Sequence, residues 1–237
     1  MPNNGGRRAW GAIALLADEL RRRLYRFIRA QSAPVTREQA AAATGISTKL
    51  AAYHLDKLLA AGLLEAVTPD LASRPPGRGR TPKAYRPAAE ELAVSLPQRH
   101  YDLLGDLLTQ AIVADGPASP AWRAARQLAH HRGQALGERV RVQRRLGRLG
   151  AERAIGITRD LLDACGYQPV RTDAHQLVLS NCPFQSLAGN APELICALNR
   201  DFVAGLLHGL RARRVDAGLD PAAAADPLRC CVFLQAA

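Results

Sequence analysis

The segment TGISTKLAAYHLDKLLAAGLLE, residues 44–65, indicates the fold of the N-terminal part of the chain. Its apolar residues recur at helical spacing and predict one face turned toward a core; they are Leu50, Ala51, Leu55, Leu58 and Leu59. Ser47 is placed as the N-cap and Gly62 as the left-handed stop of this helix. The opposite face carries hydrogen-bonding groups, namely Thr48, Lys49, Tyr53, His54 and Lys57. We therefore expect an amphipathic helix with a polar outer face.

The elements on both sides of this helix predict its context. A helix with arginines on its outer face begins at Asp18, and Thr36 with Gln39 forms a capping box that opens a short helix over 37–43. After residue 62, LLEAV and AYRP are typical of strands, and the loop SRPPGRGRTPK joins them. This order is that of a winged helix-turn-helix domain.

Such a domain places its longer helix in the major groove of double-stranded DNA. We expect the DNA contacts of that helix to come from Ser47, Thr48, Lys49, Tyr53, His54 and Lys57. The basic loop between the strands can reach phosphates or the minor groove through Arg74, Arg78, Arg80 and Lys83. Either element taken alone is equally consistent with a solvated basic surface, and it is their succession that favours DNA binding.

The charge of the chain is concentrated in the same region. The formal net charge is +11, and residues 1–90 contain fifteen Lys and Arg against seven Asp and Glu, which gives them +8 of that total. A basic protein favours a polyanionic partner, although charge alone does not distinguish nucleic acid from an acidic membrane.

The sequence predicts no membrane-crossing segment, because no run of about 18 apolar residues occurs. The apolar stretch 9–17 resembles the start of a signal peptide, but Asp18 and the residues that follow end it early. We therefore expect a cytoplasmic location, where the five cysteines are reduced thiols.

The second half divides into two patterns. Residues 97–166 are helical in pattern, with a break at 116–120 where Ser119 and Pro120 are placed as cap and first helical residue. One apolar stripe consists of Leu103, Leu104, Leu107, Leu108 and Ile112, and others continue up to Leu162. These helices suit a homodimer interface, and the sequence leaves open which face forms it. Beyond Gly166 a hairpin, a helix over 192–214 and a closing strand RCCVFL predict a small α+β domain.

The cysteines, Cys165, Cys182, Cys196, Cys230 and Cys231, all lie in this second half. Thiolates are soft ligands for zinc and for iron–sulphur clusters, and four of them complete a site. No two of them form a CxxC pair, and free cysteine is often a core residue. Buried core thiols and metal ligands therefore both remain open.

Two stretches carry a resemblance to a known family. ISTKLAAYHLDKLLAAGLLE with GRGRTPKAYRP resembles the DNA-binding domains of ArsR-like winged-helix regulators, especially the SufR-like group, over residues 18–88. The resemblance implies a dimeric transcription factor. NCPF at 181–184, Cys196 and the CCVF stretch are similar to the sensor half of that group, whose cysteines hold an iron–sulphur cluster. It implies Cys182, Cys196 and Cys231 as ligands, with Cys165, Cys230 or His208 completing the set.

These observations predict a mainly helical α+β protein. Its parts are an arm and the start of the first helix at 1–17, a winged helix at 18–90, a helical linker and dimerisation region at 91–165 and a sensor domain at 166–237. The favoured function is a DNA-binding transcription regulator that responds to a metal or small-molecule effector. Alternatives are an enzyme or small-molecule-binding domain that uses the winged helix for docking, and an architectural protein that binds DNA without sequence preference. No Gly-rich phosphate loop, HExxH or GxSxG supports the enzyme.

Overall fold

The computed structural model describes residues 4–31, 33–68, 83–88, 92, 94, 99–173, 175–220, 223 and 229–236, with side chains from residue 9 onward. The chain forms two compact units, Met1–Arg99 and His100–Ala237. The described part is mainly helical with two small antiparallel sheets, which confirms the predicted α+β class.

The N-terminal unit contains four helices and three short strands among its described residues. They are α1 (Asn4–Leu15), α2 (Glu19–Arg29), β1 (Val35–Thr36), α3 (Arg37–Thr44), α4 (Thr48–Ala60), β2 (Leu64–Val67) and β3 (Ala84–Pro87). The strands form an antiparallel sheet in the order β1-β3-β2. The sequence predicted α2 to α4, β2 and β3 but not β1.

Side-chain caps set the helix boundaries of this unit. The Asp18 carboxylate accepts a hydrogen bond from the backbone N–H of Arg21 at 2.9 Å and begins α2. Thr36 and Gln39 form the predicted capping box of α3, with bonds of 3.3 and 2.8 Å. Gly45, at φ 70°, ends α3 in the left-handed conformation that favours glycine. The turn between α3 and α4 is therefore encoded locally.

The core of the N-terminal unit corrects two expectations. Ala9 and Ala12 of α1 are buried, and Ala12 packs with the core residues Leu24 and Leu55. This packing accounts for a helix from Asn4 within the segment 1–17, where we expected an arm and only the start of a helix. Leu50, expected in the core, is 41% exposed because it lies only about 60° around α4 from the exposed Tyr53.

The C-terminal unit contains five helices and four strands among its described residues. They are α5 (Tyr101–Asp115), α6 (Pro120–Gln143), α7 (Ala151–Ala164), β4 (Pro169–Arg171), β5 (Gln176–Leu179), α8 (Gln185–Ala188), α9 (Pro192–Leu210), β6 (Val215–Leu219) and β7 (Val232–Ala236). The strands form an antiparallel sheet in the order β4-β5-β7-β6. The predicted β4–β5 hairpin, the cap at Ser119 and the closing strand β7 are present. The sequence did not predict β6, α8 or the break after α6.

Helices α6 and α9 pack with their backbones in close contact along four glycines. A Cβ atom added to Gly133 or Gly205 would lie 1.9 or 2.0 Å from a carbonyl oxygen of the facing helix. Gly137 and Gly209 meet the facing backbone in the same way, at 2.4 and 2.2 Å. Since both helices carry the spacing GxxxG, small residues allow this approach. The contact joins the segment predicted as a linker to the segment predicted as a sensor within one unit.

Helix α5 exposes most of its apolar residues. Leu103, Leu104, Leu107 and Leu108 are each more than half exposed. Four exposed leucines on one helix form an apolar patch, which is unusual for a surface in contact with water. None of the described helices combines the length and apolar character needed to cross a membrane.

Candidate nucleic-acid interface and thiol cluster

Helix α4 presents a polar outer face. Thr48, Lys49 and Lys57 are exposed, and Tyr53 is 54% exposed. Lys49, Tyr53 and Lys57 follow one another at intervals of four residues and therefore line one stripe. The Lys57 ammonium lies 5.7 Å from the centroid of the Tyr53 ring. The stripe offers two cations and one phenol at helical spacing.

Two of the predicted contact residues of α4 have other positions. The Ser47 hydroxyl accepts a hydrogen bond from the backbone N–H of Leu50 at 3.3 Å, so it serves as the helix cap while remaining exposed. His54 is only 8% exposed, which corrects its assignment to the outer face. Its position lies about 40° around the helix from the buried Leu58 and about 60° from the buried Ala51.

His54 is nevertheless unusual for a core residue. Its Nδ1 atom is buried and has no hydrogen-bond partner. The pKa of the nearby Asp18 carboxyl is lowered, chiefly because the backbone N–H of Arg21 donates to it, and His54 adds a smaller favourable charge interaction. His54 of α4 thus lies near the start of α2 and contributes to packing rather than to the outer stripe.

The strands after α4 form the base of a hairpin. Strands β2 and β3 are antiparallel, with Glu65 opposite Arg86, and Arg86 Nε donates to Glu65 Oε1 at 2.6 Å. Lys83, immediately before β3, is exposed. Arg74, Arg78 and Arg80 lie outside the described residues. The hairpin therefore begins as predicted, and its basic tip stays a prediction.

Four thiols meet in the C-terminal unit. Cys182 follows β5, Cys196 lies on α9, and Cys230 and Cys231 precede β7. Hydrogen bonds between thiols link Cys182 to Cys230, Cys230 to Cys231, and Cys231 to Cys196. Three elements far apart in sequence thus converge on one chain of sulphur atoms.

The thiols of this chain are not equivalent. Hydrogen bonding by Cys196 and Cys230 lowers the pKa of the Cys231 thiol, and hydrogen bonding by Cys230 lowers the pKa of Cys182. Cys230 has one S–H, so it donates to one of these two sulphur atoms at a time. The pKa values of the two donors, Cys196 and Cys230, are raised by the same bonds and by burial. Cys231 and Cys182 are therefore the acceptors, the positions where a thiolate is favoured.

An asparagine lies against the same sulphur atoms. Asn199 on α9 is 1% exposed, and its Nδ2 donates to Cys230 Sγ at 3.1 Å and to Cys182 Sγ at 3.7 Å. The Tyr167 hydroxyl donates to Asn199 Oδ1 at 2.5 Å. Burial, and to a smaller extent the nearby thiols, raise the pKa of Tyr167, so its hydroxyl stays protonated. Neither residue was predicted from the sequence, although Asn199 interrupts an apolar helix pattern between Leu198 and Val203.

The thiols of the cluster are ligands that suit a soft metal, but their positions are not those of a metal site. Among the described residues, no group of three or more His, Cys, Asp or Glu side chains takes the arrangement of a metal site. The sulphur atoms form a chain, so a common ion requires the end thiols, Cys182 and Cys196, to turn toward it. Side-chain rotation of a cysteine is a small change, and the four soft donors, of which Cys196 is half-buried and the others are buried, fit a thiolate site in composition.

The other candidate ligands lie apart from this chain. The pKa of Cys165 is raised by burial alone, without a hydrogen bond from another thiol. His208 is exposed, and its ring lies 5.6 Å from the ring of His130 on α6. Of the residues that the sequence offered to complete the set, Cys230 is the one in contact with Cys182 and Cys231.

Comparison with known proteins agrees with the N-terminal geometry. Residues 16–67 match the family model of a helix-turn-helix domain. No significant match to a curated protein or to a solved structure was found. The matched segment covers α2, α3, α4 and β2, so the N-terminal unit carries a helix-turn-helix domain of the DNA-binding regulator type.

Proposed function

We propose that the chain is a dimeric, sequence-specific transcription regulator whose C-terminal unit senses an effector through a thiolate-held metal centre. The observation that carries the proposal is the exposed stripe of Lys49, Tyr53 and Lys57 on the second helix of a matched helix-turn-helix domain. That helix is the one that enters the major groove in such domains.

The stripe is suited to both kinds of DNA contact. Lys49, near the N-terminus of α4, is placed where recognition helices meet base edges, and lysine donates to guanine O6 and N7. Tyr53 offers a hydroxyl for a phosphate and a ring for a thymine methyl group. Lys57 adds a charge for the backbone. The exposed Lys83 and the arginines of the predicted wing supply further phosphate contacts.

A second copy of the chain is the proposed occupant of the α5 face. One winged helix reads a half-site, so a two-fold symmetric operator calls for a two-fold symmetric protein. The exposed leucines of α5, Leu103, Leu104, Leu107 and Leu108, supply an apolar surface for it. Burial of such a stripe against its symmetry mate contributes roughly 25 cal/mol for each Å² of apolar surface.

The proposed sensor is the thiol cluster of Cys182, Cys196, Cys230 and Cys231. These residues would hold an iron–sulphur cluster or a zinc ion, which in either case ties the β5 loop, α9 and the start of β7 to one centre. Loss of the centre would release these three elements from each other. A change of DNA affinity then requires that the centre favour one of two dimer arrangements.

Replacement of Lys49 and Tyr53 by alanine tests the DNA-reading face. Each lost base contact should weaken binding to the cognate duplex by about 1–3 kcal/mol. Arg153→Ala, which removes an exposed charge from α7, is the matched control and should bind like the parent. Unchanged binding by both folded Lys49 and Tyr53 variants in a gel-shift assay would remove the proposed reading face.

Anaerobic purification tests the sensor. We expect bound zinc, or iron and sulphide with visible absorption, and loss of the metal when Cys182, Cys196, Cys230 or Cys231 is replaced by serine. Cys165→Ser is the matched control, because its thiol lies outside the hydrogen-bonded chain. Metal-free protein, or equal metal content in all five variants, would make the cysteines core thiols and leave the effector to another site.

A further inference from the structure

Asn199 occupies a position that packing alone does not explain. Its side chain is buried beside the core residues Val203 and Leu206 of the same helix, which are also fully buried. A buried amide has to form hydrogen bonds to offset the loss of water, and an apolar side chain would not need them. The Asn199 amide finds its partners in one hydroxyl and two thiols.

We propose that Asn199 is a positioning residue that holds Cys182 and Cys230 together as one ligand pair, with Tyr167 fixing the orientation of its amide. This inference rests on the thiolate centre proposed above. It assigns a role to two residues that lie outside the cysteine set.

The hydrogen-bond directions follow from the chemistry of the groups. The Tyr167 hydroxyl donates to Asn199 Oδ1, so the oxygen side of the amide is occupied and Nδ2 is turned to the sulphur atoms. The Nδ2 group has two N–H donors and no acceptor, and two sulphur atoms lie within its reach, at 3.1 and 3.7 Å. Both sulphur atoms therefore accept hydrogen bonds from this one amide.

The two sulphur atoms come from distant parts of the chain. Cys182 lies in the loop after β5 and Cys230 lies before β7, and a single amide on α9 contacts both. Outer hydrogen bonds of this kind orient metal ligands, and their loss costs about 10- to 100-fold in metal affinity. An N–H donor to a bound thiolate also spreads its charge and alters the potential of an iron–sulphur cluster.

Three variants separate this role from general packing. Asn199→Ala removes both N–H donors, and Tyr167→Phe removes only the hydroxyl that fixes the amide. Val203→Ala is the matched control, because it removes buried atoms one turn further along α9 but removes no hydrogen-bond donor to a sulphur atom. Circular dichroism and thermal melting report whether each variant is folded.

The first measurement is metal retention by the full chain after anaerobic loading, with ferrous iron and sulphide in one series and with zinc in another. We expect Asn199→Ala to lose about 10- to 100-fold in affinity, Tyr167→Phe to lose less and Val203→Ala to match the parent. Retention by Asn199→Ala equal to that of the parent would overturn the proposal. So would a loss that follows melting temperature, with Val203→Ala affected as strongly as Asn199→Ala.

The second measurement needs no native metal. In a Cys196→Ser, Cys231→Ser background, a monoalkyl arsenic(III) compound, which bridges two thiols, reports on the Cys182 and Cys230 pair. If the Asn199 amide positions the two thiols, Asn199→Ala should lower the equilibrium uptake of the arsenic compound at least about tenfold, the effect expected when a hydrogen bond to a ligand is lost. If the parent holds no metal and this loss is still seen, the positioning role stands and the metal centre fails. Equal uptake with and without Asn199 would overturn the positioning role.

Discussion

Replacing Gly205 by alanine should destabilise the C-terminal unit, although alanine is the better helix former. An added Cβ would lie 2.0 Å from the His130 carbonyl oxygen, where an ordinary contact is 3.4 Å or more, so α6 and α9 have to separate by more than 1 Å. The obstacle is backbone, which cannot rotate away as a side chain does. Overpacking costs about 1–3 kcal/mol or more, and the gain in helix propensity is about 1 kcal/mol. A backbone obstacle places the overpacking cost at the upper end of this range, about 3 kcal/mol, so we expect a net loss of about 2 kcal/mol.

Gly156→Ala is the matched control for this change. Gly156 lies within α7, and a Cβ there would meet no atom within 4 Å. Only the propensity term applies, so this variant should gain about 1 kcal/mol. The two substitutions are chemically identical and should have opposite signs.

Urea unfolding followed by tryptophan fluorescence measures both variants. The chain has two tryptophans, Trp10 in α1 and the buried Trp122 in α6, so a Trp10→Phe background makes the signal specific to the C-terminal unit. With a slope of about 2 kcal/mol per molar urea, Gly205→Ala should lower the midpoint by about 1 M and Gly156→Ala should raise it by about 0.5 M. Equal midpoints for Gly205→Ala and Gly156→Ala would refute the close packing of α6 and α9.

Three further changes have defined outcomes. Thr36→Ala removes the side-chain bond of the α3 capping box and should cost the N-terminal unit about 1 kcal/mol, measured by chemical unfolding followed by circular dichroism. Leu104→Asp places a charge on the exposed face of α5, so it should leave the fold intact and convert a dimer to a monomer in light scattering; a parent that is already monomeric would contradict the dimer. Burial raises the pKa of Asp201, but hydrogen bonds from Arg126 and Arg200 lower it by more, so the pKa lies below its ordinary value. The stabilisation of the fold by the Asp201 carboxylate is therefore present above about pH 4 and is lost as pH falls through the lowered pKa. Asp201→Asn should therefore lower the melting temperature at pH 7 more than at pH 3.

Much of the N-terminal fold was predictable because its signals are local. The capping box at Thr36, the left-handed Gly45 and the cap at Ser47 each act within four residues, and each is present in the structure. The helix-turn-helix order followed from these signals. Helix α1 was not predicted because its helical form depends on tertiary packing, in which Ala12 joins a core with Leu24 and Leu55.

The side-chain positions depend more on tertiary context. His54 and Leu50 both lie at the border between the two faces of α4, where polarity predicts histidine outside and leucine inside. In the structure His54 is buried and Leu50 is exposed. The thiol cluster was less predictable still, since the hydrogen bonds that join Asn199 to Cys182, Cys230 and Tyr167 span 17 to 32 residues of sequence. No spacing rule encodes a contact between a loop, a helix and a strand.

Selection from a pool of random DNA duplexes tests whether the chain is a sequence-specific DNA-binding regulator. The parent protein is used to enrich a pool, and its affinity for the enriched sequence is compared with that for a scrambled duplex of equal length at the same salt concentration. We predict a two-fold symmetric sequence bound at least about 10³-fold more tightly than the scrambled duplex, as for specific DNA-binding proteins. Enrichment of no sequence, with equal affinity for both duplexes and a steep dependence on salt, would contradict a sequence-specific regulator and leave a protein that binds DNA through charge alone.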